Sequence, residues 1–170
     1  MKKAIFLMGL LSLSFIAFQA CAQDKSKRPS PPATASVTTH NGVTITIDYS
    51  QPAIKGRTLG KEIAPYGQVW RTGANEATVF QINKDVTIDG KSLKAGKYSV
   101  YSIPGKDEWT FILNKTWNQW GTEYNQKDDV MRFTVKPLKH AFTERMTFAI
   151  TPSGEVSLLW GDVSVGFMVK

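Results

Sequence analysis

Seven consecutive residues, Val43-Thr44-Ile45-Thr46-Ile47-Asp48-Tyr49, alternate without a break between apolar and polar side chains. Neighbouring side chains of an extended chain point to opposite faces, so this stretch has one face of Val, Ile, Ile and Tyr and another of Thr, Thr and Asp. That is the pattern of a half-buried strand. Asn41-Gly42 stands directly before it, a strong two-residue hairpin signal that pairs it with Val37–His40.

The same signature recurs along the chain. Strands are predicted at Glu76–Asn83, Asp85–Ile88, Tyr98–Ile103, Trp109–Leu113, Val130–Val135, Met146–Ile150, Val156–Trp160 and Val163–Val169. Turn chemistry falls between them at Asp89-Gly90, Ala95-Gly96, Pro104-Gly105 and Pro152-Ser153-Gly154. Short strands with hairpin connections predict an all-β fold, an antiparallel β-sandwich or barrel-like single domain over 37–170. Only Gly60–Ala64 and Trp117–Trp120 carry even a weak expectation of a helical turn.

The N-terminal region is different. Lys2 and Lys3 followed by the apolar run Ala4–Phe18 read as a secretory signal peptide, and the run is short for a membrane span, which needs about 20 residues. Ala20-Cys21-Ala22 fits ordinary cleavage before Gln23, giving a signal over 1–22 and a secreted or periplasmic product. The alternative ends the signal at residue 20 and places a lipid on Cys21, the only cysteine, making a membrane-tethered lipoprotein. Phe18 and Gln19 suit that alternative poorly. Residues 23–36, with Asp24–Ser36 rich in Pro, Ser, Ala and Lys, read as a flexible linker that buries too little apolar surface to offset its ordering entropy.

Charge and motif content exclude several functions. The formal net charge is +7, but five of the 21 basic and one of the 14 acidic residues precede Val37, leaving 16 against 13. A domain at +3 is no polyanion-binding surface, so nucleic acid is excluded as a partner. The two histidines, His40 and His140, lie one hundred positions apart, and no metal-ligand or G-x-S-x-G spacing occurs. Copper held by His40, His140 and Met168 needs three coincidences. No metal and no cofactor are expected.

Two stretches concentrate polar and aromatic groups. In Val69-Trp70-Arg71-Thr72-Gly73-Ala74-Asn75-Glu76-Ala77-Thr78 a glycine turn is flanked by Arg71 and Glu76, spaced to meet across a hairpin mouth. Read as architecture, Trp70 is core, Asn75 ties the turn, and Arg71–Glu76 is an ion pair fixing register. Read as a site, Arg71 offers a rigid five-donor fork for a carboxylate, phosphate or sugar hydroxyl, with Asn75 and Glu76 as orienting groups beside the indole. The second stretch, Trp117-Asn118-Gln119-Trp120-Gly121-Thr122-Glu123-Tyr124, is either an aromatic platform for a sugar or peptide or a loop covering the open end of the sandwich.

Tyr49–Phe80, Ala95–Lys115 and Asn118–Gly121 together resemble one family, the exported bacterial proteins grouped as domain of unknown function 2911. WRTGANEAT is the most specific part of the likeness, which runs from about Val43 to Lys170. The resemblance implies an exported β-domain and brings no reaction or substrate with it. The function expected from the residues is a non-catalytic binding module of the cell envelope. Its ligand is a small polar or anionic molecule, glycan or peptide held by Trp70, Arg71, Asn75, Glu76, Trp117, Gln119 and Trp120. The alternative is a metal-independent hydrolase or isomerase with Glu76 as base, paired with Asp48 or Glu123 if two carboxylates act, and Arg71 stabilising developing charge.

Overall fold

The computed structural model describes residues 24–170. The expected signal, Cys21 and the cleavage junction lie outside the described residues. From Asp24 onward the regular structure is almost entirely antiparallel strand, with a long strandless connection between Ser50 and Thr78. Strands β1 (Pro32–Thr38), β2 (Thr44–Ser50), β3 (Thr78–Ile82), β6 (Gly96–Ile103), β7 (Trp109–Asn114) and β8 (Asp129–Val135) form the main sheet in the order β1-β2-β3-β6-β7-β8. The second layer is the long pair β9 (Leu138–Ile150) and β10 (Glu155–Met168), and β4 (Val86–Ile88) with β5 (Lys91–Leu93) makes a small separate hairpin.

Alternation sets which face meets the core. Ile45 and Ile47, Phe80 and Ile82, Phe111 and Leu113, and Met131 and Phe133 point inward from the main sheet. They pack on Met146, Phe148, Leu158, Trp160 and Phe167 of the second layer. Phe167 stands edge-on to both Phe111 and Phe133, with centroids 5.2 and 5.0 Å away. Trp70 stacks on Trp160 at 5.2 Å and meets Trp109 edge-on at 6.3 Å, which closes the neighbouring part of the core with three indoles.

Three expectations are corrected. The strand before Asn41-Gly42 begins at Pro32, so five of the seven residues of β1, Pro32–Ser36, lie in the stretch read as a linker. Within Pro32–Ser36 the apolar side is only Ala33 and Ala35, too weak a signal for periodicity. Its polar side is a cross-strand hydroxyl ladder, with Thr34 donating to Asp48 at 2.6 Å and Ser36 and Thr46 bonded at 2.8 Å. Proline is tolerated here because it opens an edge strand. Second, Val156–Trp160 and Val163–Val169 belong to one strand that doubles back at Gly161 (φ 61°), bringing the Val169 N–H onto the Gly154 carbonyl at 2.9 Å. Third, neither Gly60–Ala64 nor Trp117–Trp120 is helical; the described 3-10 turns are Lys25–Lys27 and Gln126–Asp128.

The ordered start predicts a truncation effect. A chain beginning at Val37 loses most of the β1–β2 ladder and should be destabilised by on the order of 3 kcal/mol against one beginning at Asp24. The urea midpoints of the two chains measure it; equal midpoints would show that Pro32–Ser36 is not part of the folded unit.

Candidate functional site

The corner between the first hairpin and β3 is stitched by buried hydroxyls. Thr72, Thr78 and Ser102 are each fully buried. The Thr72 hydroxyl donates to Ser102 Oγ at 2.9 Å, and the Thr78 hydroxyl donates to the Thr72 carbonyl at 2.8 Å. Trp70 and Ser102 exchange both backbone bonds, at 2.7 and 2.9 Å. The turn therefore hangs on β6. Positive φ falls on Thr72 (49°) and Asn75 (60°) rather than on Gly73. Gly73 is there for room: a Cβ on it would stand 2.7 Å from Thr78 Oγ1.

Asn75 ties three segments together. Its side-chain amide donates to the Ser30 carbonyl at 3.0 Å and to Ser50 Oγ at 3.3 Å, and its own carbonyl accepts the Gly121 N–H at 3.0 Å. The last bond joins the corner to the second aromatic stretch. Ala77 donates to the Gln119 carbonyl at 3.1 Å, and Glu76 and Trp120 form an isolated bridge. The loop covers the outer face of the main sheet rather than its open end. Tyr101, Ile112 and Arg132 share that outer face by register, and Tyr101 and Ile112 are buried beneath the loop.

A cleft of about 400 Å³ opens where loop and corner meet, lined by Val69, Trp70, Arg71, Tyr101, Gly121, Thr122 and Tyr124. Tyr101 and Tyr124 lie 4.8 Å apart, centroid to centroid. The Tyr101 oxygen accepts from Gln119 Nε2 at 2.8 Å. Tyr124 donates to Asp129 at 2.8 Å and accepts from Arg132 at 2.7 Å, so its hydroxyl is fully occupied. Burial pushes both phenols above their ordinary pKa, helped at Tyr124 by the Asp129 carboxylate, so both stay neutral at physiological pH.

Arg71 and Glu76 do not pair. Both oxygens of Glu76 accept from Arg28 Nη1, at 3.0 and 2.9 Å, and Lys25 Nζ stands 3.1 Å from Oε1. Burial pushes the Glu76 carboxyl up, but its own backbone N–H, Arg28 and Lys25 together bring it down to about 2. A carboxylate so engaged is a poor general base at neutral pH. Arg71 passes over Gly121, whose Cβ, were there one, would meet Arg71 Cδ at 2.7 Å and the Asn75 carbonyl at 2.8 Å. Among the described residues Arg71 makes no ion pair and no side-chain hydrogen bond.

The sequence-predicted residues divide accordingly. Trp70 and Arg71 line the cleft, and Gln119 positions its Tyr101 wall. Asn75 and Glu76 spend their polar groups on Ser30, Ser50, Arg28 and Lys25, away from it. Glu76 and Asp48 instead border a separate depression of about 200 Å³ beside Lys25. Trp117 is 37 % exposed with Lys97 Nζ 4.6 Å over its ring, and Trp120 is 45 % exposed. Neither is part of the cleft lining. His40 and His140 are both exposed. Among the described residues no group of three or more His, Cys, Asp or Glu is placed to hold a metal. Tyr124 belongs to the aromatic stretch that the sequence marks, whereas nothing in the sequence marks Tyr101 or Arg28 as site residues. Tyr101 was legible as an outward residue of β6, but what covers it was not.

The family model described as protein of unknown function (DUF2911) matches residues 30–169. The chain belongs to the DUF2911 family. No curated protein and no solved structure matches it. The match begins two residues after Arg28, so the main partner of Glu76 in this DUF2911 chain lies just outside the matched segment.

Two outcomes are expected of this DUF2911 domain. Glu76 titrates near 4.5 when unpaired and at about 2 when folded. Its contribution is therefore complete above pH 4.5 and is lost as pH falls toward 2. Because its side chain is 41 % exposed, solvent screening holds that contribution to about 1 kcal/mol or less. Carboxyl NMR titration should show Glu76 moving up toward 4.5 in Arg28→Ala; an unmoved titration would mean Arg28 is not the partner. Gly121→Ala sets a Cβ against the Asn75 carbonyl and Arg71 and should cost about 1–3 kcal/mol by thermal denaturation, whereas a neutral result would show the close approach to be absent.

Proposed function

We propose that this protein is an exported β-sandwich module of the cell envelope that binds a small polar or anionic ligand, a glycan or a peptide without catalysing a reaction. The export reading rests on Lys2, Lys3 and the apolar run Ala4–Phe18. In the lipoprotein alternative the membrane attachment is a lipid on Cys21. The binding reading is carried by one observation: Arg71 lines an aromatic cleft with no protein acceptor among the described residues.

A guanidinium presents five donors in a fixed plane and favours a bidentate carboxylate or phosphate. Trp70, Tyr101 and Tyr124 beside it supply apolar faces on which a sugar ring or a peptide side chain stacks. At about 400 Å³ the cleft is of the size that takes one small molecule or one residue of a longer ligand. Trp117 and Trp120, exposed on the same loop, extend the surface available to such a ligand. Catalysis through Glu76 draws no support, since that carboxylate is ion-paired outside the cleft.

Tryptophan-fluorescence titrations with uronic acids, sugar phosphates and short acidic peptides test this reading. Wild type should bind at least one class, and Arg71→Ala should weaken it about 10- to 100-fold, the range expected for a charge-assisted bond. Its melting temperature should stay close to wild type. Binding that survives Arg71→Ala unchanged, or a collapse of stability with no ligand bound by wild type, contradicts the proposal.

A further inference from the structure

The lining of the Arg71 cleft holds one charged side chain, and neither a carboxylate nor a side-chain amide. A sugar ring carries a hydroxyl on most of its carbons, and each hydroxyl proton needs an acceptor. Three hydroxyls belong to the lining, those of Tyr101, Thr122 and Tyr124. Tyr124 already donates to Asp129 and accepts from Arg132, and Tyr101 accepts from Gln119. Among the described residues Thr122 is the one hydroxyl of the lining with no hydrogen-bond partner. A polyhydroxylated ligand finds few acceptors here.

The surrounding charge suits a single negative charge. Glu123 stands in the chain between the lining residues Thr122 and Tyr124. Burial pushes the Tyr101 phenol above its ordinary pKa and the Glu123 carboxylate adds to the shift, so Glu123 acts within electrostatic reach of the cleft. Arg132 and Asp129, which hold the Tyr124 hydroxyl, neutralise each other at 2.7 Å. Lys25 and Arg28 are engaged by Glu76 outside the lining. The cleft thus offers one guanidinium with one carboxylate nearby. A lone guanidinium matches a carboxylate in a bidentate pair. A phosphate dianion would keep one charge unmatched and be repelled by Glu123.

The contact surface beside Arg71 is largely apolar. Val69 is 43 % exposed, and Trp70 and Tyr124 are half-buried, whereas Tyr101 is buried. Covering Val69 and the accessible parts of the two rings supplies attraction that one partly exposed ion pair alone does not.

We propose that the cleft takes a monocarboxylate whose charge is held by Arg71 and whose apolar group covers Val69, Trp70 and Tyr124. This assignment rests on the reading of the Arg71 cleft as a binding site, and it favours such a ligand over sugars and phosphates. A free carboxylic acid and the C-terminal residue of a peptide present the same chemistry.

Amide NMR titrations with phenylacetate, phenylacetamide, benzyl phosphate and glucuronate test it, the first three sharing a benzyl group. Phenylacetate should shift the amides of Val69, Arg71, Thr122 and Tyr124 with a Kd of about 1 mM or tighter. Phenylacetamide and glucuronate should each bind about tenfold more weakly, and benzyl phosphate more weakly than phenylacetate. Arg71→Ala should erase the preference for phenylacetate over its amide. Glu123→Gln should narrow the gap between phosphate and carboxylate by about two- to fivefold. N-Acetylalanylphenylalanine separates the two sources. Binding tighter than that of phenylacetate assigns a peptide C-terminus, equal or weaker binding a free acid, and both support the proposal. Equal binding of phenylacetate and its amide overturns it. So does glucuronate or benzyl phosphate binding at least as tightly as phenylacetate; if Arg71→Ala abolishes that binding, the cleft remains a binding site for another class. No shift with any of these probes up to roughly 20 mM, twenty times the weakest Kd allowed, overturns the carboxylate assignment and the cleft reading together.

Discussion

The structure around the cleft depends on the corner Trp70–Thr78 being held from inside by hydroxyls. Thr72, Thr78 and Ser102 are buried polar groups that satisfy one another. Leaving any of them unpaired would cost the desolvation of that group, on the order of 1–3 kcal/mol. That penalty makes the corner's geometry close to all-or-none. It also sets the two positive-φ positions, Thr72 and Asn75, and thereby sends Arg71 to one side of the chain and Glu76 to the other.

From that divergence the division of labour follows. On one side Glu76 and the Asn75 amide clasp Lys25, Arg28 and Ser30, which turns an apparent tether into part of the folded domain. On the other the Asn75 carbonyl takes the Gly121 N–H and holds the 117–124 loop over the outer face of the main sheet. Gly121 gives Arg71 the space to lie across that loop. The polar groups that look alike in the sequence therefore have opposite fates. Asn75 and Glu76 are saturated by the protein, and Arg71 is left with donors to spare.

Alternation made most of the main sheet legible, because β2, β3, β7 and β8 each bury one face against the second layer. It failed where one face has little to bury. Pro32–Ser36 contributes two alanines to the core side, and the first five residues of β9 are exposed on both faces, so neither carries a period. The candidate site was legible as a set of residues and not as an arrangement. Spacing arguments see partners a few positions away, which favoured an Arg71–Glu76 pair. The actual partner, Arg28, is 48 positions from Glu76 and sits in a stretch whose composition suggests disorder. Tyr101 was concealed for a related reason: its cover comes from a loop that follows the next strand.

The claim that Glu76 is committed to the N-terminal segment while Arg71 remains free is tested most directly by two double-mutant cycles in denaturant unfolding. One combines Arg28→Ala with Glu76→Gln, the other Arg71→Ala with Glu76→Gln. The expected coupling is about 0.5–1 kcal/mol in the first cycle and zero within roughly 0.3 kcal/mol in the second. A coupling confined to Arg71 and Glu76, with none to Arg28, would contradict this account and return the corner to a simple charge-paired turn.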